Sequence, residues 1–371
     1  MKPIFQIFAS AAWGGGEQFV ADLSRRLVAD GRQVVLIARR PGRVVRERTA
    51  DLPVPFFRLP LKGAVDLISA VGLAWLMLRH RPAVVHAHHF RDAFTALYAR
   101  ALVRLFGVRP RIVLTRHLVR KAKSDRLHRW MYRRLDGLAF VSERARSEFF
   151  AVAPGIGRER TSVILNSSTE DRLRGEAPDL RRLYGIAPEV PLLLFCGRLV
   201  EEKGCDVLLR ACARVGRERR FALFFAGTPA DSAYAAKLRA LAADLPSGVR
   251  AEFLGFVPNA GALLAQADIS VQPSVVAEAG GGLSVIESMQ AGRAVVASDN
   301  GSQPEYAVAG VTGLLVPPGN DEALAAALVR LIDDKALRDG MGAAGRRHFE
   351  ENLAYEHFYR KYLAFYDGQT A

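Results

Sequence analysis

The chain is poor in sulfur. Its three cysteines, Cys196, Cys205 and Cys212, are too few for a disulfide framework, and no spacing among them matches a metal site. This excludes a disulfide-stapled secreted scaffold and implies a reducing, cytoplasmic compartment. Long apolar runs are also missing: no segment reaches the ~18 uninterrupted apolar residues needed to span a bilayer. The longest candidate, Leu67 to Leu78, ends in Arg79-His80-Arg81 and is apolar on every side, which predicts a buried helix. At the amino end Lys2 precedes IFQIFASAA, but that run is short, is broken by Gln6, and leads into a glycine turn and an amphipathic helix. A first buried strand is expected there rather than a signal peptide.

Acidic residues are scarce in one half only. Residues 1–175 hold 32 Lys+Arg against 14 Asp+Glu, a net of +18; the remainder holds 20 against 24, a net of −4, and the two make the overall +14. The densest stretch, Arg104 to Arg134, includes Arg116, Arg120, Lys121, Lys123, Arg126, Arg129, Arg133 and Arg134. Two readings stay open: a solvated basic face, or contact with an anionic membrane surface or a phosphorylated lipid acceptor at the inner face of the membrane. Nucleic acid is not expected, because neither stacking aromatics nor a helix-turn-helix pattern accompanies the charge.

With 371 residues, half of them apolar, the chain exceeds the size at which a single core usually splits, and two domains are expected. Short apolar runs alternate with helical periodicity, the pattern of an α/β protein with parallel sheets. Strands are predicted at 4–8, 33–38, 83–86, 112–115 and 137–141. A second series covers 192–196, 221–226, 251–254, 269–272, 294–297 and 313–316. A helix over 17–30 follows the first strand, the segment 167–187 reads as a linker, and 354–366 reads as a last, aromatic-rich helix. The domains expected are 1–175, 176–351, and a terminal helix within 352–371.

Two segments carry the chemistry. Phe195 to Asp206, FCGRLVEEKGCD, is a strand end opening into a loop with Arg198 and Lys203, then a helix. About eighty residues later GGGLSVIESMQAG is a glycine turn, Gly280 to Gly282, running through Leu283 and Ser284 into a helix with Glu287 near its start. Backbone amides at a helix N-terminus, the helix dipole and close backbone approach at glycine make such places fit for phosphate. Arg198 and Lys203 add two full charges, and a nearby carboxylate can take sugar or ribose hydroxyls. Each has a plainer reading: surface charge in a βα loop for Arg198 and Lys203, and a dipole-favoured position for Glu287.

These segments, with AGRAVVASDNGSQPEY and VTGLLVPPGN after them and GGGEQFV, VVHAHH, TRH, FVSE and VILNSS before them, resemble in order the retaining nucleotide-sugar glycosyltransferases of family 4. The resemblance covers nearly the whole chain. It implies the GT-B fold, two Rossmann-like domains facing each other across a cleft, with the last helix crossing back to the first domain. It places a nucleotide-sugar donor on Gly15, Gly16, Arg198, Lys203, Gly282, Leu283, Ser284 and Glu287, with Glu287 on the ribose. It puts His117 and a first carboxylate, Glu278, at the donor sugar. The family spacing departs here, since Glu278 and Glu287 enclose eight residues rather than seven: either the glycine run absorbs one as a bulge, or the first carboxylate is displaced toward Ala279.

The chain contains no Asp-x-Asp pair, so neither metal nor other cofactor is expected. Side-chain cations and helix-end amides would stabilise a departing diphosphate. His86, His88 and His89 lack a further ligand for metal, and a strand-end or acceptor-side role is expected of them. The resulting expectation is hexosyl transfer to a glycan or lipid-linked acceptor in bacterial surface polysaccharide synthesis. The alternatives are a GT-B epimerase or phosphorylase and a non-catalytic sugar-nucleotide or glycan-binding protein, which purified protein would separate by donor turnover with and without acceptor.

Overall fold

The computed structural model describes residues 2–9, 14–39, 49–50, 52–229, 231–277 and 282–369. It divides into two units, one of Met1–Asn166 with Glu356–Ala371 and one of Ser167–Tyr355. The first unit therefore ends at Asn166, earlier than the expected 175. The segment 167–187 is not a plain linker: it contains the short helices Asp171–Arg174 and Leu180–Tyr184, the second capped by Asp179, and it belongs to the second unit.

The first unit is a seven-stranded parallel sheet in the order β3-β2-β1-β4-β5-β6-β7. Its strands are β1 Ile4–Phe8, β2 Val34–Ala38, β3 Phe56–Arg58, β4 Val84–Ala87, β5 Arg111–Arg116, β6 Gly137–Phe140 and β7 Thr161–Val163. The short edge strands β3 and β7 had no clear sequence signal. One face, carrying Phe5, Ile7, Val85, Ala87, Ile112 and Leu114, is apolar and packs against the helices Leu67–His80 and Phe90–Val103. The opposite face carries Gln6, His86 and Thr115, all fully buried. It is covered by the helix Gly15–Ala29 and by the chain's last helix, Tyr355–Tyr366, whose Phe358, Tyr362, Phe365 and Tyr366 are buried.

The last helix is anchored by several contacts. Tyr359 donates to Asp30 Oδ2 at 2.7 Å, Arg26 pairs with Glu356 at 2.9 Å, and the Arg26 guanidinium lies 4.4 Å from the centre of the Tyr359 ring. Phe365 fills the space left by Gly137, where a Cβ would stand 2.7 Å from its ring.

Two expectations need correction. The helix Leu67–His80 buries only one side, through Ser69, Ala70, Leu73, Ala74, Leu76 and Met77, because a helix laid on a sheet shields one side. Its other side leaves Leu67, Ile68, Val71 and Trp75 more than half exposed. Arg116 is not part of a basic surface. It is 4% exposed, its guanidinium lies 5.0 Å from the ring centres of both Phe90 and Phe149, and it donates to the Arg120 and Lys121 carbonyls.

The second unit is a six-stranded parallel sheet in the order β10-β9-β8-β11-β12-β13. Its strands are β8 Leu192–Cys196, β9 Phe221–Ala226, β10 Val249–Gly255, β11 Ile269–Gln272, β12 Ala294–Ser298 and β13 Gly313–Val316. Period-two alternation sends Leu193 and Phe195 into one apolar layer and Leu192, Leu194 and Cys196 into the other. In both sheets the chain builds outward from the central strand and then returns to its other side, so the order reverses between β1 and β4 and between β8 and β11. At such reversals ligands bind beyond the carboxyl ends of the strands.

Replacing Phe365, 1% exposed, by Ala should destabilise the first unit by about 3–5 kcal/mol. All three tryptophans, Trp13, Trp75 and Trp130, fall within this unit's residues, so their fluorescence reads its unfolding. A urea midpoint unchanged in Phe365→Ala would show that the last helix does not support this sheet.

Candidate active site

In the second unit the carbonyl of Cys196, at the carboxyl end of β8, is a junction. Ser284 Oγ donates to it at 2.7 Å and Gln272 Nε2 at 3.3 Å. This ties the first turn of the helix Leu283–Gln290 and the end of β11 to the end of β8. Gly282, at φ +75°, turns the chain into that helix. The loops after β8 and β11 are also joined, Val275 N donating to Glu202 O at 2.9 Å. Gly204 has φ +68°, and a Cβ there would lie 2.1 Å from the Pro273 carbonyl oxygen, so only glycine allows this approach.

Against this frame Arg198 is exposed and its guanidinium forms no ion pair among the described residues, whereas Lys203 is half-buried. Glu287 is 1% exposed. It lies beyond the first helical turn, where the dipole is weak; its carboxylate is met instead by two guanidinium nitrogens of Arg172. Sequence reading missed Arg172, for its partner is 115 residues away and no local pattern marks it. Gly282, Leu283, Ser284 and Glu287 are thus brought beside the end of β8. Glu278, with Ala279, Gly280 and Gly281, lies outside the described residues.

In the first unit the helix Gly15–Ala29 opens on Gly14, and a Cβ at Gly15 or Gly16 would meet nothing within 4 Å. Neither glycine is required by packing or by its φ. Beyond the ends of β4 and β5 stand His88 and His117, with His88 Nδ1 and His117 Nε2 3.3 Å apart. His88 Nε2 lies 2.9 Å from Gln6 Oε1, and Gln6 Nε2 donates to Tyr366 Oη at 3.0 Å. Tyr366 Oη and Thr115 Oγ1 meet the two nitrogens of His86 at 2.8 and 2.7 Å. Phe19 sits edge-on to the rings of His86, His88 and His117. The nitrogens of His86 and His88 are therefore engaged by protein groups, and no cluster of three metal-ligating side chains occurs among the described residues. Gln6, a polar residue in a buried strand, is a sequence signal that could have found this network beside the histidines.

Burial pushes His86 and His88 well below the ordinary histidine range, and burial with the neighbouring His89 takes His117 down to about 3. Unfolded imidazoles titrate near ~6.5. Between the folded and unfolded values the unfolded chain binds more protons, so stability rises with pH. The histidines leave the first unit's stability intact above about pH 6.5. Stability should fall as pH drops through 6 and 5, by up to about 1.4 kcal/mol per pH unit for each fully buried imidazole. Tryptophan-monitored melts between pH 7.5 and 5 should show this decline, and a flat midpoint over that range would contradict it.

Comparison with known proteins agrees with this architecture. Residues 177–348 match the family model described as glycosyl transferases group 1, and residues 13–168 match glycosyltransferase family 4. A 2-deoxystreptamine glucosyltransferase of Streptomyces kanamyceticus is 29% identical over 93% of this chain and 96% of its own. The lipopolysaccharide core biosynthesis mannosyltransferase LpcC of Rhizobium leguminosarum bv. viciae is 30% identical over 66% of this chain and 71% of its own. Among solved structures, a glycosyltransferase from Rickettsia africae has a TM-score of 0.85 at 18% identity, covering 99% of this chain and 98% of that one. Anabaena HepE in complex with UDP-glucose has a TM-score of 0.80 at 18% identity, covering 97% and 98%. The structural likeness carries the fold and the sequence matches carry the family: the chain is a glycosyltransferase of family 4, built from two Rossmann-like units of the GT-B class.

Proposed function

We propose that the protein transfers a hexose from a nucleoside-diphosphate donor to an anionic glycan or lipid-linked acceptor in bacterial surface polysaccharide synthesis, with retention at the anomeric carbon and without a metal ion. The observation that carries the donor side is Arg198, an exposed guanidinium without an ion pair among the described residues, at the β8 end of the strand-order reversal and beside the Gly282–Ser284 helix start. The bond from the anomeric carbon to the β-phosphate oxygen breaks and its electron pair goes to that oxygen. The acceptor hydroxyl attacks from the same face and passes its proton to the departing phosphate. Arg198, Lys203 and the helix-end amides, those at Gly15 and Gly16 included, stabilise the growing negative charge. Glu287, held by Arg172, takes the ribose hydroxyls; Glu278 and His117 serve the sugar. The relatives support sugar transfer, since one is a glucosyltransferase and another a lipopolysaccharide core mannosyltransferase.

On the acceptor side, a cavity of about 340 Å³ in the first unit is lined by His89, Arg91, Lys123 and His128 with Phe90 and Phe94, a cationic and aromatic wall suited to a phosphorylated or acidic sugar. The exposed side of the helix Leu67–His80 adds Leu67, Ile68, Val71 and Trp75, with the Arg79 guanidinium 5.7 Å from the Trp75 ring centre. Apolar side chains interleaved with arginine fit an anionic membrane surface. No described helix is long and apolar enough to cross a membrane.

Arg198→Ala and Lys203→Ala should each lower donor-dependent turnover, assayed in EDTA, by about 10- to 100-fold, since a charge-assisted hydrogen bond is worth ~1.5–3 kcal/mol. Parent-like rates in both variants, or no activity in EDTA until Mg²⁺ is added, would remove the phosphate assignment. Sedimentation with vesicles should require anionic phospholipid and weaken as salt rises past ~0.1 M. The double substitution Ile68→Gln, Trp75→Gln should release the protein from the vesicles. Equal binding to neutral vesicles, or none to either kind, would return this face to ordinary surface.

A further inference from the structure

The five hydrogen bonds that link His117, His88, Gln6, Tyr366, His86 and Thr115 measure 3.3, 2.9, 3.0, 2.8 and 2.7 Å. They run from the carboxyl end of β5, under Phe19, into the interior of the sheet and to the chain's last helix. Of these residues His117 is half-buried; Gln6, His86 and Thr115 are fully buried, and His88 and Tyr366 nearly so. A buried imidazole has one donor and one acceptor when neutral, so each bond in such a chain fixes the next.

The direction follows from Gln6. Its carbonyl oxygen faces His88 and can only accept, so His88 Nε2 is the donor and His88 Nδ1 carries the lone pair. His117 Nε2 must then donate to His88 Nδ1. On the other side the Gln6 amide nitrogen donates to Tyr366 Oη. The Tyr366 hydroxyl donates in turn to His86 Nδ1, which leaves His86 Nε2 to donate to Thr115 Oγ1. Every bond points the same way, away from His117, and no donor meets a donor. Thr115 Oγ1 lies 3.1 Å from Tyr362 Oη, which closes the buried end.

We propose that His88 and Tyr366 are positioning residues, which through this one-direction chain hold His117 in the Nε2-protonated tautomer and present its Nδ1 lone pair as the acceptor for a substrate hydroxyl. The inference rests on the placement of His117 at the sugar under the proposed function, and it adds which atom acts and what aims it. A neutral imidazole with its only N–H engaged inward cannot donate to a phosphate oxygen, so His117 recognises a hydroxyl. The last helix, though remote in sequence, is thereby part of the sugar site's support.

The test uses the full chain with ¹⁵N-labelled histidine. Long-range ¹H–¹⁵N correlation at pH 7.5 reads the His117 tautomer, with His117→Gln assigning the signal. The parent should show His117 protonated on Nε2 alone. His88→Leu should give a mixture of tautomers and lower kcat by about tenfold, the scale of losing a group that orients an imidazole, with donor KM within about twofold. His88→Asn restores an acceptor at the position of Nδ1, so it should recover the single tautomer and most of kcat. Tyr366→Phe keeps the ring and removes the hydroxyl at the middle of the chain. It should partly mix the tautomer, and it gives a reading even if His88→Leu fails to fold. An Nδ1-protonated His117 in the parent overturns the proposal. So does a tautomer unmoved in both His88→Leu and Tyr366→Phe. A tautomer that shifts as stated with turnover unchanged keeps the chain of hydrogen bonds and overturns the role of His117 in transfer.

Discussion

A buried imidazole must find a partner for each ring nitrogen or stay outside the core, because an unpaired polar atom in the interior costs about 1–3 kcal/mol. His86 obeys this rule in the middle of a parallel sheet, where Tyr366 and Thr115 meet its two nitrogens. Much of the first unit follows from that requirement. The sheet face carrying Gln6, His86 and Thr115 cannot be closed by aliphatic side chains alone; it needs a cover with hydroxyls at defined positions. Tyr362 and Tyr366 sit one turn apart on the last helix and supply them, while Phe358 and Phe365 add the apolar area that any sheet cover must bury. Polar satisfaction and hydrophobic burial come from the same short helix.

The second unit meets a different constraint with backbone rather than rings. Ser284 and Gln272 converge on one carbonyl, that of Cys196, so the turn at Gly282 and the loop after β11 are fixed relative to β8. Gly204 lets the β8 loop close against Pro273. Half-buried Arg172 also pairs with buried Glu287 on the helix that starts at this turn. Removing Arg172 would take its guanidinium away from a carboxylate in the interior, a loss that typically costs about 3–5 kcal/mol; the pair therefore also fixes the segment 171–174 to the helix that carries Glu287.

Much of this was legible in the sequence, because parallel strands buried on both faces are continuous apolar runs. The runs at 4–8, 192–196 and 221–226 appear as β1, β8 and β9 with the same bounds. The glycine turns marked the strand-to-helix corners for the same reason. Edges and distant pairings were harder to see. β3 and β7 are three residues each, too short for periodicity to register. Arg116 belongs by composition to the basic cluster, yet it lies between two phenylalanine rings. Arg172 and Tyr366 matter through partners far along the chain, and nothing in their immediate neighbours points to those partners. Gln6 carried a usable signal, a lone amide in an apolar strand, but at the sequence level it counted only as a break in the apolar run.

The discontinuity of the first unit also has a consequence in time. Its strands leave the ribosome before residues 167–355, but residues 356–371, which belong to it, leave after them. At ~5–20 residues per second the intervening residues 167–355 take about 10–40 s to synthesise. Throughout that interval the face of β1, β4 and β5 that bears Gln6, His86 and Thr115 lacks Tyr362 and Tyr366. The first unit's sheet is thus synthesised before the second unit and completed after it, and the nascent chain must carry an uncovered half-polar sheet while the second unit is made.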